Sequence, residues 1–265
     1  MGQPEDGLYI QMNLRVLGCS GGIGGAQTRT TAFLIDDDTL LDCGTGVGDL
    51  ERDALSRIDH VFLSHSHLDH IAALPLMIDS VGADRHVPLT VYARPETIRI
   101  LHSHSFNWLV WPEFTSIPDR RRPFMRFQPV YVGETVQLGA RRITALPAFH
   151  TVPALGFCVD SGRNKLVYTG DTGFSDEVIE AINAQGALRY LIAETAFPEE
   201  ERHLALVSRH LCPSTLHAML EGLSTMPEVC ITHLKPGHDE RIMEQLVRKG
   251  NVALRALRQG ETLEL

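Results

Sequence analysis

Short apolar runs between polar turns dominate the first third of the chain. Runs this short favour strands over helices, because a helix needs two or more turns of periodic apolar positions. Strands are predicted at residues 14–17, 31–35, 39–42 and 61–63.

Helical spacing begins near residue 70, where Ile71, Leu74 and Met77 share one face of a helix predicted to end near residue 80. Beyond it, strand and helix patterns alternate, which is typical of an α/β domain. Strands are predicted near 124–131, 142–149, 155–160, 164–169, 190–194 and 229–232, an edge strand at 262–265, and helices at 95–106, 175–184, 200–208, 213–222 and 239–248.

Ligand-type side chains are concentrated directly after the strand at 61–63. Three histidines and one aspartate, His65, His67, Asp69 and His70, fall within six residues. Imidazole and carboxylate together are the ligand set for zinc, iron or manganese. His65 and His67 point the same way in an extended segment, whereas Asp69 and His70 begin the following helix. One segment can therefore supply two adjacent metal positions.

The pattern His65-x-His67-x-Asp69-His70 resembles the motif of the metallo-β-lactamase superfamily. The resemblance implies a four-layer αββα sandwich of the α/β class, with its metal site at one edge of two sheets. We expect one domain over residues 1–265, with an aromatic flap near 100–125. His150, Asp171 and His233 each follow a strand-like run and match the order of the family's later ligands.

The same resemblance implies seven metal ligands in two groups. His65, His67 and His150 hold one ion, Asp69, His70 and His233 hold the other, and Asp171 bridges them. Two cations about 3.5–4 Å apart can share a water and lower its pKa toward neutrality, which makes a hydroxide nucleophile. Zinc is the first expectation for two divalent ions, and manganese or iron also suits these ligands.

Two smaller features are expected beside this centre. Asp42, at the end of the strand at 39–42, begins a turn that resembles the family's early aspartate turn, and its carboxylate is predicted to orient the metal loop rather than to bind metal. The glycine-rich stretch at 21–25 is predicted to form a tight loop near the site, because it lacks the helix pattern of a dinucleotide-binding fingerprint.

A general acid is also needed for phosphodiester cleavage, because the leaving oxygen must be protonated. His210 is the candidate acid, and Glu194, at the end of its strand, is the candidate for orienting it. Family members that cut phosphodiesters carry such a pair, and those that hydrolyse β-lactams lack it. The catalytic residues are then expected to be Asp69, Glu194 and His210.

Four sets of segments resemble the class II 3′,5′-cyclic-nucleotide phosphodiesterases: 67–71, 106–107 with 111–115, 194–198 with 204–205 and 210–213, and 232–236. The resemblance implies hydrolysis to 5′-monophosphates. Arg209 departs from this pattern, because the family usually has glycine directly before the histidine that corresponds to His210. An aromatic cluster could stack the base, at about 1–3 kcal/mol per stack, or form a hydrophobic flap. Its members are Phe106, Trp108, Trp111 and Phe114.

Three other functions stay open on the sequence alone. A tRNA 3′-end endonuclease uses a similar site, but this chain shows no Gly- and Lys-rich arm. A thioester or lactone hydrolase uses the same attacking group, and the Glu194–His210 pair argues against it. In di-iron redox proteins of this fold a carboxylate commonly replaces one histidine of the first cluster, whereas His67 is intact.

Charge and cysteine usage refine this interpretation. The net charge of −9 disfavours nucleic-acid binding, while two bound cations would still favour a small anionic substrate such as a cyclic nucleotide. Five scattered cysteines suggest reduced thiols in a cytoplasm. No apolar run is long enough to cross a bilayer and residues 1–7 do not resemble a signal peptide. A homodimer is kept as an alternative to a monomer.

Overall fold

A computed structural model describes residues 11–249 and 252–265 of the chain. Within these residues, the first of two seven-stranded sheets has the order β14-β1-β2-β3-β4-β5-β6, parallel from β3 to β6. Its strands are β1 (Asn13–Gly18), β2 (Ala32–Ile35), β3 (Thr39–Leu41), β4 (His60–Phe62), β5 (Leu89–Ala93), β6 (Met125–Pro129) and β14 (Thr262–Glu264). The predicted C-terminal edge strand is β14, which pairs antiparallel with β1.

The second sheet has the order β13-β12-β11-β10-β9-β8-β7. It is antiparallel from β7 to β10 and parallel from β10 to β13. Its strands are β7 (Thr135–Leu138), β8 (Arg141–Ala148), β9 (Ala154–Asp160), β10 (Lys165–Tyr168), β11 (Tyr190–Glu194), β12 (Glu228–Thr232) and β13 (Leu254–Ala256).

Helices cover the outer faces of both sheets. They are α1 (Arg52–Arg57), α2 (Leu68–Ile71), α3 (Ala73–Val81), α4 (Pro95–His104), α5 (Asp176–Asn183), α6 (Arg202–Ser208), α7 (Pro213–Glu221) and α8 (Asp239–Lys249). One core cluster lies between the sheets, where Phe33 and Phe62 of the first sheet meet Phe157 and Tyr168 of the second. Two further clusters lie under the helices, so the predicted αββα sandwich is confirmed.

The helix predicted at 70–80 is divided at Ala72. The N–H of Ala73 donates to the carbonyl of Cys43 in the neighbouring loop at 3.0 Å, and Pro75 has no N–H to give to Ile71. The helical ladder therefore restarts at α3.

Four short elements, α1, β5, β7 and β13, were not predicted. None of the helices in the described ranges is long and apolar enough to cross a membrane.

The strand directions decide where the ligand-type residues meet. β8, β10, β11 and β12 run the same way, so their C-terminal ends lie at one edge of the second sheet. The residues that follow these ends include the predicted ligands of the later loops. The loop after β4 supplies the histidine motif at the same edge of the sandwich.

Candidate metal centre and active site

The structure brings all seven predicted ligands together in two groups that share Asp171. In each group, the ligand atoms lie within 4.8 Å of one another. The first group is His65, His67, His150 and Asp171, and the second is Asp69, His70, Asp171 and His233. Each group therefore offers the nitrogen and oxygen ligands of one divalent ion.

Asp171 lies between the groups. Its Oδ2 is 3.3 Å from Nε2 of His70, 3.4 Å from Nε2 of His233 and 3.6 Å from Nε2 of His65. Asp69 is more peripheral and about one quarter exposed, with its Oδ2 3.8 Å from His70 Nε2 and 3.7 Å from His233 Nε2. Oδ2 of Asp171 thus faces imidazoles of both groups, whereas Asp69 faces only those of the second.

Several of these atoms are buried without a partner. Nε2 of His65, His70 and His233, and Oδ1 of Asp171, accept or donate no hydrogen bond within the described part of the chain. A buried polar atom left unpaired costs about 1–3 kcal/mol, so four such atoms facing one space require an explanation. Five imidazoles and two carboxylates around that space fit two divalent metal ions.

The electrostatics of the pocket suit metal binding, because a ligating histidine must be neutral. Burial lowers the pKa of His150 to about 4 and that of His233 to about 3, and it holds the pKa of His65 well below its usual value. Burial also disfavours charged His70, but Asp171 and Asp42 outweigh it and raise that pKa well above normal. The carboxylates beside His70 therefore favour positive charge in this space, which is the charge that a divalent ion would bring.

Asp42 supports the second group without reaching its ligand space. Its Oδ2 is 2.7 Å from Nδ1 of His70 and accepts a hydrogen bond of 2.8 Å from Tyr168 Oη. Ser64 donates both its N–H and its hydroxyl to the same carboxylate, at 2.7 and 2.8 Å. The contact leaves Nε2 of His70 for a metal ion, as expected for a residue that orients the loop.

Arg209 holds His150 of the first group from two sides. Nδ1 of His150 donates to the Arg209 carbonyl at 3.0 Å, and the guanidinium donates to the His150 carbonyl at 2.6 Å. The guanidinium also lies 4.5 Å from the centre of the Phe149 ring. Arg209 has a φ of 53°, in the left-handed region that glycine adopts most easily. The structure therefore explains why glycine is usual here and gives the arginine a contact of its own.

Backbone geometry at His233 depends on the glycine-rich loop, which lies beside it as predicted. A Cβ on Gly21 would stand 2.5 Å from the His233 carbonyl oxygen, so a larger residue cannot approach this closely. The N–H of His233 donates to the Cys19 carbonyl at 2.7 Å, and His233 itself has a φ of 62°. Strained backbone of this kind is typical of functional sites.

Glu194 and His210 form a buried pair next to the ligand groups. Nδ1 of His210 lies 2.8 Å from Oε1 of Glu194, and Glu194 is fully buried. The same oxygen accepts the N–H of Thr172 at 3.0 Å, which ties the pair to the Asp171 loop. The His210 ring is 4.9 Å from that of His150 and 5.2 Å from that of His233. Burial lowers the pKa of His210, but the Glu194 carboxylate raises it more, so it is above normal.

The predicted aromatic cluster lies between α4 and β6. Phe106 and Phe114 are buried in the core, with their rings packed on other aromatic rings. Trp111 is half-buried and its Nε1 donates to the Pro75 carbonyl at 3.1 Å, whereas Trp108 is 64% exposed. Trp111 lines an apolar cavity of about 480 Å³ that reaches Ser66 and Leu68 of the metal loop. Only the tryptophans of this cluster thus face space that a ligand could enter.

Some contributors to the site were missed from the sequence. Tyr168 and Thr172 contact the site through hydrogen bonds that no local pattern predicts. Arg209 was noted in the sequence only as a missing glycine, and its contacts with His150 were not predicted. Ser64 stands inside the histidine motif, and its position directly after a buried strand was the available signal.

Comparison with known proteins agrees with this geometry. The profile of the beta-lactamase superfamily domain matches residues 39–234, and the chain belongs to this superfamily of metallo-β-lactamase-fold hydrolases. A probable 3′,5′-cyclic-nucleotide phosphodiesterase of Yersinia pestis is 30% identical over 231 residues. The match covers 78% of this chain but only 64% of that protein, less than two thirds of its length.

Solved structures show the same fold. Unliganded yeast PDE1 superposes with a TM-score of 0.78 at 17% identity, covering 97% of this chain and 100% of that one. The human short-form tRNase Z superposes with a TM-score of 0.67 at 16% identity, covering 95% and 98%. The predicted superfamily is thereby confirmed, together with the resemblance to cyclic-nucleotide phosphodiesterases.

Proposed function

We propose that this protein is a phosphodiesterase that hydrolyses 3′,5′-cyclic nucleotides to 5′-monophosphates with two divalent metal ions, zinc being favoured. The observation that carries the proposal is the Glu194–His210 contact of 2.8 Å beside both ligand groups. Hydrolysis of an activated acyl carbon does not require a separate acid of this kind, whereas a poor alkoxide leaving group does. The similarity to the Yersinia pestis relative supports the same substrate class.

Ions held by the seven ligands would lower the pKa of a bound water and withdraw charge from a phosphoryl oxygen. The protein's own side chains then accept and donate the protons. Asp69 is the most exposed carboxylate of the ligand set and accepts the proton of the attacking water. As the oxygen of the water bonds to phosphorus, the bond from phosphorus to O3′ breaks. Nε2 of His210, opposite the Nδ1 held by Glu194, gives O3′ its proton.

A substrate screen tests the proposal. Zinc- and manganese-loaded protein is assayed with cyclic AMP, cyclic GMP, precursor tRNA and a lactone, and products are identified by chromatography. We expect 5′-monophosphates from a cyclic nucleotide and about two ions per chain in metal analysis. Turnover of precursor tRNA alone would favour the endonuclease, and turnover of the lactone alone would refute a phosphodiesterase.

The charge of the chain supports a small substrate over a nucleic acid. A net charge of −9 repels an extended polyanion, whereas a cyclic nucleotide carries one negative charge and fits a local cationic site. We therefore propose a small anionic substrate, and the tRNA arm of the screen tests this choice directly.

A further inference from the structure

Two cavities flank the candidate metal centre, and each would hold the nucleoside of the substrate in a different position. One is the apolar cavity at Trp111 and Leu68. The other has a volume of about 360 Å³ and is lined by His210 together with Phe149, Phe174 and Arg209. Either is large enough for a nucleoside, so the chemistry of the leaving group has to decide between them.

The position of the acid decides this choice, if the proposed function holds. A general acid must lie within hydrogen-bond reach of the oxygen that it protonates. In a 3′,5′-cyclic nucleotide, the leaving O3′ and the base belong to one ribose. The ribose and base therefore lie on the His210 side of the phosphorus, and His210 lines the second cavity.

The walls of that cavity suit a flat base. Phe149 is 44% exposed and Phe174 is 38% exposed, although both are large apolar rings beside a buried site. The Arg209 guanidinium lies 4.5 Å from the centre of the Phe149 ring and is held there by its bond to the His150 carbonyl. Aromatic rings and a planar cation are the two kinds of surface on which bases stack without regard to sequence.

The backbone supports a specific role for this wall. Arg209 keeps a left-handed conformation that is unfavourable for a residue with a Cβ. A Cβ on Gly173 would stand 3.3 Å from the Phe149 ring, so glycine there lets the ring pack close to the backbone that follows Asp171. We propose that Phe149, Phe174 and Arg209 form the base-binding subsite, which stacks the nucleobase of the substrate's leaving side.

Product binding tests this subsite without relying on turnover. The dissociation constants of AMP and ribose 5-phosphate are measured by calorimetry on zinc-loaded protein, and their ratio reports the contribution of the base. We expect the unmodified protein to bind AMP about tenfold or more tightly than ribose 5-phosphate. Phe149→Ala and Phe174→Ala should each reduce that ratio about three- to tenfold, and the double variant should bring it close to one.

Matched variants keep the test specific. Phe149→Leu keeps most of the side-chain volume but lacks a flat ring, so it should also reduce the ratio. Val247→Ala truncates a side chain that is 62% exposed on α8, outside the cavity, and should leave the ratio unchanged. Metal content and thermal unfolding identify any variant that has lost its fold or its ions.

Two results with variant proteins would overturn the subsite: an unchanged ratio in the double variant, or a ratio that falls in Trp111→Ala instead. A ratio near one in the unmodified protein would do so as well. The proposed function is judged separately by turnover. A protein that binds AMP through these rings but hydrolyses no cyclic nucleotide would keep the subsite and lose the proposed activity.

Discussion

The two ligand groups share Asp171 but differ in what stands behind their histidines. In the second group, the buried carboxylate of Asp42 lies 2.7 Å from His70. In the first group, His150 is backed by a neutral carbonyl of Arg209 at 3.0 Å, and His67 is only half-buried. A carboxylate behind an imidazole raises its basicity and fixes its orientation. We therefore expect the second group to hold its ion more tightly than the first.

Replacing the shared ligand should have the largest effect. Asp171→Ala removes an oxygen from both groups, so metal content should fall below one ion per chain and turnover should be abolished. Atomic absorption and the cyclic-nucleotide assay measure these outcomes. Asp160→Ala is the control, because Asp160 is a largely buried carboxylate of β9 that pairs with Arg142. Two retained ions and normal turnover in Asp171→Ala would refute a shared site.

Removing the charge behind His70 should affect one group selectively. Asp42→Asn should weaken the more tightly bound ion about 10- to 100-fold, because the amide cannot replace the carboxylate behind the imidazole. Competition with a chromophoric chelator measures both dissociation constants. Asp49→Asn, which changes an exposed carboxylate bonded to Arg29, is the control. Equal weakening of both ions would contradict the selective role of Asp42.

Graded chelation tests the difference between the groups in the unmodified protein. We expect two separate steps, with one ion lost at a lower chelator concentration than the other. In Asp42→Asn the two steps should move together, because the advantage of the second group is reduced. A single two-ion step in the unmodified protein would show that the groups bind with equal strength.

The smallest effect is expected at Arg209. Arg209→Gly removes the guanidinium contact with the His150 carbonyl but relieves left-handed strain of about 1–2 kcal/mol. The lost hydrogen bond contributes about 1 kcal/mol, so the free energy of unfolding should change little. The more weakly bound ion should be released a few-fold more easily. Denaturant unfolding and the chelator assay measure the two quantities, and a large loss of stability would contradict this balance.

A different division, between ligands that are close together in the chain and ligands that are far apart, separates what the sequence could and could not predict. Four ligands lie within six residues, so their chemistry is visible as a local pattern. His150, Asp171 and His233 could be proposed only because each follows a strand-like run in the order typical of the family. Their meeting depends on the common direction of β8, β10 and β12, which local patterns do not contain.

There are physical reasons why four elements were not predicted from the sequence. β5 is a run of five buried residues, and a run of this kind shows no alternation that separates strand from helix. β7 and β13 have four and three residues, too few to show a clear pattern, and pair with β8 and β12. α1 has six residues and none of them is buried, so it shows no apolar face. The hydrogen bond between Arg209 and His150 joins residues 59 positions apart, and the only sign of it in the sequence is the missing glycine at position 209.

The leaving-group dependence of His210→Ala tests the central claim most directly. The claim predicts that cyclic-nucleotide turnover falls about 10²- to 10⁴-fold while metal content stays unchanged. Turnover of bis(p-nitrophenyl) phosphate should fall much less, because its leaving group needs no proton. An equal fall for both substrates, or no fall for either, would contradict the assignment of His210 as the acid of a phosphodiesterase.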